Sequence, residues 1–427
     1  MVVWLLVVLQ LLLPAPALRT AAEGGLLAFI LLAIPRASRH IQCLCAVVFA
    51  LGGWLLWRDG DWSALRRGLD AGLVFGAFIP TIMLLRATAD ASPLLDSTRA
   101  RLSAWDEGQR CAWAQATTHL LGTIVMIGAY VAARAALSGN PSPAERARVA
   151  ESAVRGLGLS VCWSPFFVSS AVASQLVPQV QAWELVAVGL GYAALGMVLS
   201  LALFYRDTTW TARLAAVRAS ARLAVPAGCL VALVLVASAA TGLQGLHVIV
   251  LVIPLVCLSY LGFLGLAPLR RTVAHMPANL GRLADELIII PVALAFGALL
   301  AGAGVGPSVQ ALIAPFAETP FLLLSVEVLA IAIGGYFGIH PMITATALIP
   351  LMAKANATLA PVTVAYAVVF GWALSSMVAV WTMPVSSAAT LFDVPVLRLT
   401  LGRNLAFAAG FGLCGMLLLP VIDRLVS

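Results

Sequence analysis

The sequence predicts an all-α, polytopic membrane protein of about 10–12 transmembrane helices. Hydrophobic residues make up 62% of the 427 residues, charged residues only 10%, and the mean hydropathy is +1.02. A soluble core cannot absorb that much apolar surface. In addition, two apolar runs are interrupted in the same way, by a proline beside hydroxyl side chains. We therefore expect two repeats, each with a re-entrant hairpin and a broken helix.

The apolar runs place the spans along the chain. The second run is short enough to lie at the membrane interface, and some of the polar, Arg-containing connections could form amphipathic surface helices. The predicted spans are 2–17, 24–36, 41–57, 69–86, 111–137, 182–205, 223–241, 246–268, 285–304, 362–383 and 402–422. The connections are 58–68, 87–110, 139–155, 206–222 and 269–284. Because no basic region precedes the first apolar run, we expect a retained helix rather than a signal peptide.

The charged residues indicate a membrane protein rather than a nucleic-acid-binding one. The net charge is +7, but the 25 basic residues are scattered through short connections, as the positive-inside rule requires. Counted by that rule, connections 206–222 and 269–284 would both be cytoplasmic. Segment 156–178 could then cross the membrane fully, so the orientation stays open. The seven cysteines lie mostly in or beside apolar runs and show neither metal-ligand spacing nor a disulfide framework. We expect no metal or cofactor, and only Na⁺ or H⁺ as a coupling ion.

The two interrupted runs predict the binding site. Within a bilayer, backbone groups freed by a proline need polar partners, so such breaks line cavities or pack against protein. Helix N-termini there suit anions, and C-terminal carbonyls suit sodium. The candidate binding residues are Ser164, Pro165, Ser169 and Ser170 in the first break, and Gly338, His340, Pro341, Thr344 and Thr346 in the second. The alternative is that these hydroxyls only bond to their own helix or its neighbours.

The spacing of the breaks indicates an internal duplication. Pro165 and Pro341 are 176 positions apart, and the same offset pairs Ser170 with Thr346. We expect N-terminal helices at 1–40, a first repeat at 41–222 with its hairpin near 152–178, and a second repeat at 223–427 with its hairpin near 320–354. Inverted repeats need an odd number of crossings between the hairpins, whereas four are predicted. Either a crossing has been missed or one hairpin is a broken span.

Two side chains near the second break could carry a proton. Glu327 lies in an apolar run, and intramembrane carboxylates usually mark ion or proton paths; alternatively, it could reach the interface. His340 could bind substrate, accept a proton, or be a neutral structural residue. At the 176-residue offset, Glu327 corresponds to Glu151, which could pair with Arg155 one helical turn away.

A further proline break ends span 362–383. The stretch Trp381–Ser387 contains Pro384, Ser386 and Ser387, and Ser375 and Ser376 precede it. We predict that these residues form the far wall of the site, opposite Pro341.

At its two main breaks, the chain resembles the ion transporter superfamily, which includes arsenite permeases, divalent anion/sodium symporters and the large membrane subunits of tripartite transporters. The resemblance rests on Leu159–Pro165 with Pro178, and on Gly338–Pro341 with Thr344–Pro350. It implies inverted repeats, re-entrant hairpins, an elevator-like movement and a scaffold that often dimerises. The chain departs from the Ser-Asn-Thr hairpin tip of the symporters because neither tip contains Asn. No Arg is predicted within the core, so binding of an anion would rely on helix dipoles.

Secondary active transport is therefore the expected function. We expect a small, anionic solute to cross the bacterial inner membrane, coupled to H⁺ or Na⁺, with the solute and the lipid bilayer as partners, a homodimer as the assembly and no nucleic acid. A membrane-embedded enzyme or a lipid flippase is the alternative. No H-E-x-x-H or G-x-S-x-G motif is present, so we do not expect an enzyme.

Overall fold

A computed structural model describes residues 2–91, 102, 104–282, 284–303, 311, 315–316, 319–355 and 358–426. Helices and short connections account for most of this part of the chain. The N-terminal half contains α1 (Val2–Leu12), α2 (Pro16–Ala33), α3 (Arg39–Asp59), α4 (Trp62–Leu73), α5 (Phe75–Asp90), α6 (Glu107–Gly122), α7 (Met126–Ala133), α8 (Pro143–Val161), α9 (Val168–Leu176), α10 (Ala182–Phe204) and α11 (Trp210–Ala219). The remainder contains α12 (Ala224–Thr241), α13 (Gly245–Leu264), α14 (Leu266–Arg282), α15 (Ala284–Gly302), α16 (Pro320–Tyr336), α17 (Pro341–Ala355), α18 (Pro361–Val378), α19 (Met383–Phe392), α20 (Val396–Leu401) and α21 (Arg403–Val426).

The protein is a polytopic helical membrane protein. Nine segments of the described chain are long and apolar enough to cross a bilayer. They are Pro16–Arg36, Arg39–Asp59, Trp62–Asp90, Ala182–Phe204, Trp210–Thr241, Gly245–Leu264, Ala284–Gly302, Pro361–Phe392 and Val396–Val426. Four of these segments lie between the two main breaks in the sequence. Inverted repeats need an odd number of crossings there, so the inverted arrangement stays a prediction.

Three sequence predictions need correction. The chain breaks between Leu12 and Pro16, so α1 is too short to span. Helix α2 extends the predicted span 24–36, which was short enough to be interfacial, and is long enough to cross. Prolines cause this shift, because Pro16 begins α2 and Pro14 cannot continue α1. The predicted span 111–137 is interrupted after Gly122. The predicted connection 139–155 is largely helix α8, and every residue from 149 to 166 is buried.

The chain forms two compact units assembled from alternating segments. Unit 1 comprises residues 1–88, 238–323 and 342–358, and unit 2 comprises residues 89–237, 324–341 and 359–427. This division does not test the predicted repeat boundaries, which stay a prediction. The second main break falls where the chain passes from unit 2 to unit 1.

Unit 1 is organised around the close packing of α4 on α15. A Cβ atom at Gly68 would lie 2.5 Å from the Ala295 Cα, and one at Gly72 would lie 2.9 Å from the Pro291 Cβ. Glycine therefore lets the two helices approach almost backbone to backbone, as in other membrane helix pairs. The ion pair between Arg19 and Asp70 joins α2 to α4.

Unit 2 is organised around α18. Nearly all of its residues are buried, and it packs against α8, α9, α10, α19 and α21. A helix that is apolar on all sides needs neighbours on all sides, which explains this central position. Unit 2 contains the first break and the break after α18, and it therefore contains most of the candidate site.

Candidate functional site

The first break spans residues 162–167, between α8 and α9, and its hydroxyls are largely used within the protein. The Ser164 hydroxyl donates to the Thr123 carbonyl oxygen at 3.0 Å and accepts the Phe166 amide at 3.3 Å. The Ser170 hydroxyl donates to the Ser164 carbonyl oxygen at 3.0 Å. Pro165 is buried between them. Ser169 is also buried, and no hydrogen-bond partner for its hydroxyl is found among the described residues.

A further break, at residues 123–125 between α6 and α7, was missed by the sequence analysis. Three consecutive β-branched residues, Thr123, Ile124 and Val125, disfavour helix there. The Thr123 hydroxyl donates to the Leu120 carbonyl oxygen at 2.6 Å, and the Ser164 hydroxyl donates to the Thr123 carbonyl oxygen. The β-branched run could have signalled this interruption. The contact itself could not be predicted, because it joins residues 41 positions apart.

The second main break, at residues 337–340, begins with a glycine-terminated helix end. Gly338 has φ of +90°, and its amide bonds to the Gly335 carbonyl at 3.1 Å. The Ile339 amide bonds to the Gly334 carbonyl at 2.8 Å, which completes a Schellman motif. Pro341 then starts α17 at the position where a missing N–H costs least. Gly338 and Pro341 therefore have a clear structural role in ending one helix and starting the next.

The side of this break within unit 2 faces α18. The His340 ring lies edge-on to the Trp372 ring, with centroids 5.7 Å apart. A Cβ atom at Gly335 would come within 2.0 Å of the Ser375 hydroxyl oxygen. Ser375 is buried, and this hydroxyl has no hydrogen-bond partner in the described structure.

Two predicted residues belong to the other unit. Thr344 and Thr346 lie on α17, in the part of the chain assigned to unit 1. The Thr346 hydroxyl donates to the Ile343 carbonyl at 3.1 Å, and its side chain packs on Gly297. Thr346 therefore fits the alternative to a binding role, in which an intramembrane hydroxyl only bonds to its own helix.

The break after α18 covers residues 379–382, next to the predicted far wall. The Ser376 hydroxyl donates to the Ala373 carbonyl at 2.7 Å, and the Ser386 hydroxyl to the Met383 carbonyl at 3.2 Å. Pro384 and Ser387 are half-buried near the start of α19, whereas Ser386 is exposed. The hydroxyls of Ser376 and Ser386 therefore also bond within their own helices.

Glu327 is the most unusual polar group near the second break. It is fully buried on α16, and neither carboxyl oxygen has a hydrogen-bond partner among the described residues. On the same helix, the Val328 carbonyl and Ile331 contact Gly371 of α18. A buried, unpaired carboxylate is very costly, so this group should be neutral in the structure.

Sequence analysis also missed a buried polar network around Arg155, and the prediction that the core contains no Arg is wrong. Arg155 is only 1% exposed. Its guanidinium donates to the Ser200 hydroxyl at 3.0 Å, the Asn404 side-chain oxygen at 2.9 Å and the Tyr205 hydroxyl at 3.1 Å. The rings of Phe204 and Tyr205 lie 4.6 and 5.8 Å from it. Neutral donors, acceptors and aromatic faces thus replace water around this cation.

Glu151, the positional counterpart of Glu327, has a different environment. Its carboxylate accepts the Arg403 amide at the start of α21 and lies near the positive charges of Arg155 and Arg398. A Cβ atom at Gly402 would come within 2.7 Å of its Oε1 atom. The acid therefore complements both the helix dipole and nearby arginines. Of the two acids, only Glu327 is buried without compensation.

Helix starts at the internal breaks differ from those at several surface connections. Side chains of Ser38, Asp61, Asp106, Ser142 and Thr209 accept amide hydrogen bonds in the first turns of α3, α4, α6, α8 and α11. By contrast, α7, α9 and α19 start at internal breaks without a side-chain cap. Their first N–H groups are therefore not capped by their N-cap side chains.

No group of three metal-binding side chains occurs in the described parts of the chain. Searches for similar proteins add nothing to this geometry, since no family model and no curated protein matches the chain.

Proposed function

We propose that this protein is a secondary active transporter that moves a small anionic solute across the bacterial inner membrane, driven by H⁺ or Na⁺. The observation that carries this proposal is the buried carboxyl of Glu327, which lacks a hydrogen-bond partner within the described structure. Such a group is stable when protonated and costly when charged. It can therefore couple proton binding to a change of conformation.

Solute recognition is assigned to the internal breaks of unit 2. The uncapped starts of α7, α9 and α19 offer N–H groups and the positive ends of helix dipoles, which favour anions. The pair formed by His340 and Trp372 adds an imidazole beside one break. Sodium would instead use carbonyl oxygens at helix ends, and the Ser164 bond to the Thr123 carbonyl competes for one of them. We therefore favour H⁺ over Na⁺.

The proposal includes the architecture implied by the resemblance to the ion transporter superfamily. It comprises inverted repeats, re-entrant hairpins at the two main breaks, an elevator-like movement and a homodimeric scaffold. The glycine-ended break after α16 and the interrupted helix after α18 support it, because transporter sites are commonly built from such discontinuous helices.

The test is solute-driven proton uptake into proteoliposomes with a trapped pH dye. Succinate, sulfate, phosphate and bicarbonate are supplied in turn, with and without sodium. Without sodium, we expect one of them to acidify the vesicle interior, as read by the trapped dye. The rate of that acidification should be at least about tenfold lower in the Glu327→Gln variant. Gln matches the neutral acid in shape but cannot release the proton.

The matched control is Glu184→Gln, the same change at an acid in the first turn of α10. It should leave proton uptake near the wild-type rate. Proton coupling that is unchanged in the Glu327→Gln variant would exclude this residue as the coupling group. The absence of solute-dependent flux for all four anions in the wild type would count against anion transport.

A further inference from the structure

A polar cavity lies within unit 2, and no residue of the breaks lines it. Its volume is about 140 Å³, and it lies between the start of α6, the middle of α8, the connection after α10 and the start of α21. Acidic, basic, hydroxyl and aromatic side chains form its walls, among them Asp106, Arg148, Ser152, Tyr205 and Arg403. Two of these residues, Ser152 and Tyr205, also contact the Arg155 guanidinium.

The chemistry of the walls suits water. The Thr208 hydroxyl donates to Asp106 at 2.8 Å, and Glu107 forms an ion pair with Arg148. Buried waters need several polar partners, which these side chains provide. The cavity volume of about 140 Å³ is well above the roughly 10–15 Å³ that a single water needs, so several waters fit. The cavity thus extends from exposed Asp207 to buried Ser152 and the Arg155 network.

The position of the cavity also indicates which side of the membrane it faces. Asp207 and Thr208 belong to the connection 206–222, which contains four arginines. Arg148 and Arg403 add positive charge at the same end. By the positive-inside rule, this end is cytoplasmic.

We propose that this cavity is a hydrated chamber, open to the cytoplasm, that brings water to the edge of the Arg155 network. This proposal does not depend on the proposed transport function. Ser152 and Tyr205 line the chamber and accept hydrogen bonds from the Arg155 guanidinium, so their hydration offsets part of the cost of burying a cation. The chamber takes small hydrophilic species, because its volume excludes lipid chains.

Cys111 provides a native probe because its thiol lines the cavity. Cys162 is an internal control, since it is also buried in unit 2 but does not line this cavity. Wild-type protein in membrane vesicles is treated with 2-sulfonatoethyl methanethiosulfonate, an impermeant reagent. The thiolate attacks the reagent sulfur, a disulfide forms, and methanesulfinate leaves. Peptide mass spectrometry then gives the labelling rate of each cysteine without any substitution.

We expect Cys111 to be labelled at least about tenfold faster than Cys162, because thiolates form readily only in contact with water. The difference should appear in inside-out vesicles and not in right-side-out vesicles. Equal rates for the two cysteines would overturn the hydrated chamber, and faster labelling from the outside would overturn its orientation. Because no solute is present, these outcomes are independent of whether the Glu327 transport assay succeeds.

Discussion

The two main breaks have the same sequence pattern but different hydrogen bonding. In the first, Ser164 and Ser170 bond to backbone groups, and Ser164 links this break to the one at residues 123–125. In the second, the hydroxyl of Ser375 and the carboxyl of Glu327 remain without partners in the described structure. The same contrast holds for the acidic residue that precedes each break. The Glu151 carboxylate accepts an amide at the start of α21, whereas the Glu327 carboxyl has no hydrogen-bond partner in the described structure.

This difference separates a structural role from a functional one. Buried polar groups are normally satisfied, and an unsatisfied group requires an explanation. At the first break, Ser164 and Ser170 are bonded, whereas the Ser169 hydroxyl and the Trp163 indole N–H have no partner in the described structure. The Arg155 guanidinium makes four hydrogen bonds. No carboxyl is left unpaired at this break, so we interpret it and the Arg155 network as a rigid support. The second break keeps the Glu327 carboxyl and the Ser375 hydroxyl unpaired in the described structure, and in the proposed function it is the part that binds and releases a ligand. Substitutions at the first break should therefore lower mainly the stability, whereas substitutions at the second break should lower mainly the rate of transport.

The largest effect is expected for Arg155→Met, on the supporting side. The substitution leaves Ser200, Asn404 and Tyr205 without their shared donor in a buried site. Each buried polar group left without a partner typically costs about 1–3 kcal/mol in the free energy of unfolding, and this substitution affects three of them. Thermal unfolding in detergent measures the loss. Arg222→Met, at an exposed arginine, is the control and should change stability by less than about 0.5 kcal/mol. Equal losses for both variants would show that the network is not a support.

An intermediate effect is expected from adding one methyl group beside each break. A Cβ atom at Gly189 would lie 2.1 Å from the Cys162 carbonyl oxygen and 2.6 Å from the Trp163 Cα, so Gly189→Ala must displace backbone. We expect it to destabilise the protein by about 1–3 kcal/mol. At Gly335, the nearest atom is the Ser375 hydroxyl oxygen, which can rotate away. Gly335→Ala should therefore lose less stability but reduce transport. A greater loss of stability at Gly335 would reverse the comparison.

The smallest effect is expected from removing single hydroxyls. Ser164→Ala leaves the Thr123 carbonyl without this donor, and the loss should be about 1 kcal/mol. Ser375→Ala removes an unpartnered hydroxyl, so stability should be unchanged or slightly higher. The melting temperatures of the Ser164→Ala and Ser375→Ala variants in detergent, each relative to the wild type, measure this difference. If both variants lose the same stability, the two breaks do not differ in hydrogen bonding.

Sequence reasoning located most helices but misjudged one buried segment. Apolar runs identify spans because their residues must face lipid or protein whatever their neighbours are. The polar run around Arg155 looked like a surface connection, although it lies within buried helix α8. Two of its partners, Ser200 and Asn404, are 45 and 249 positions away, so nothing local in the sequence signals its burial. The break after Gly122 was missed because its flanks are apolar on both sides.

The sequence by itself determined that this is a helical membrane protein, because composition and the length of apolar runs depend only on the chain and its solvent. It also located the prolines at which helices restart. Only the tertiary structure decided which polar groups at the two similar breaks are satisfied. Hydrogen bonds such as Ser164 to Thr123, and the lack of one at Glu327 in the described structure, depend on distant segments brought together by packing.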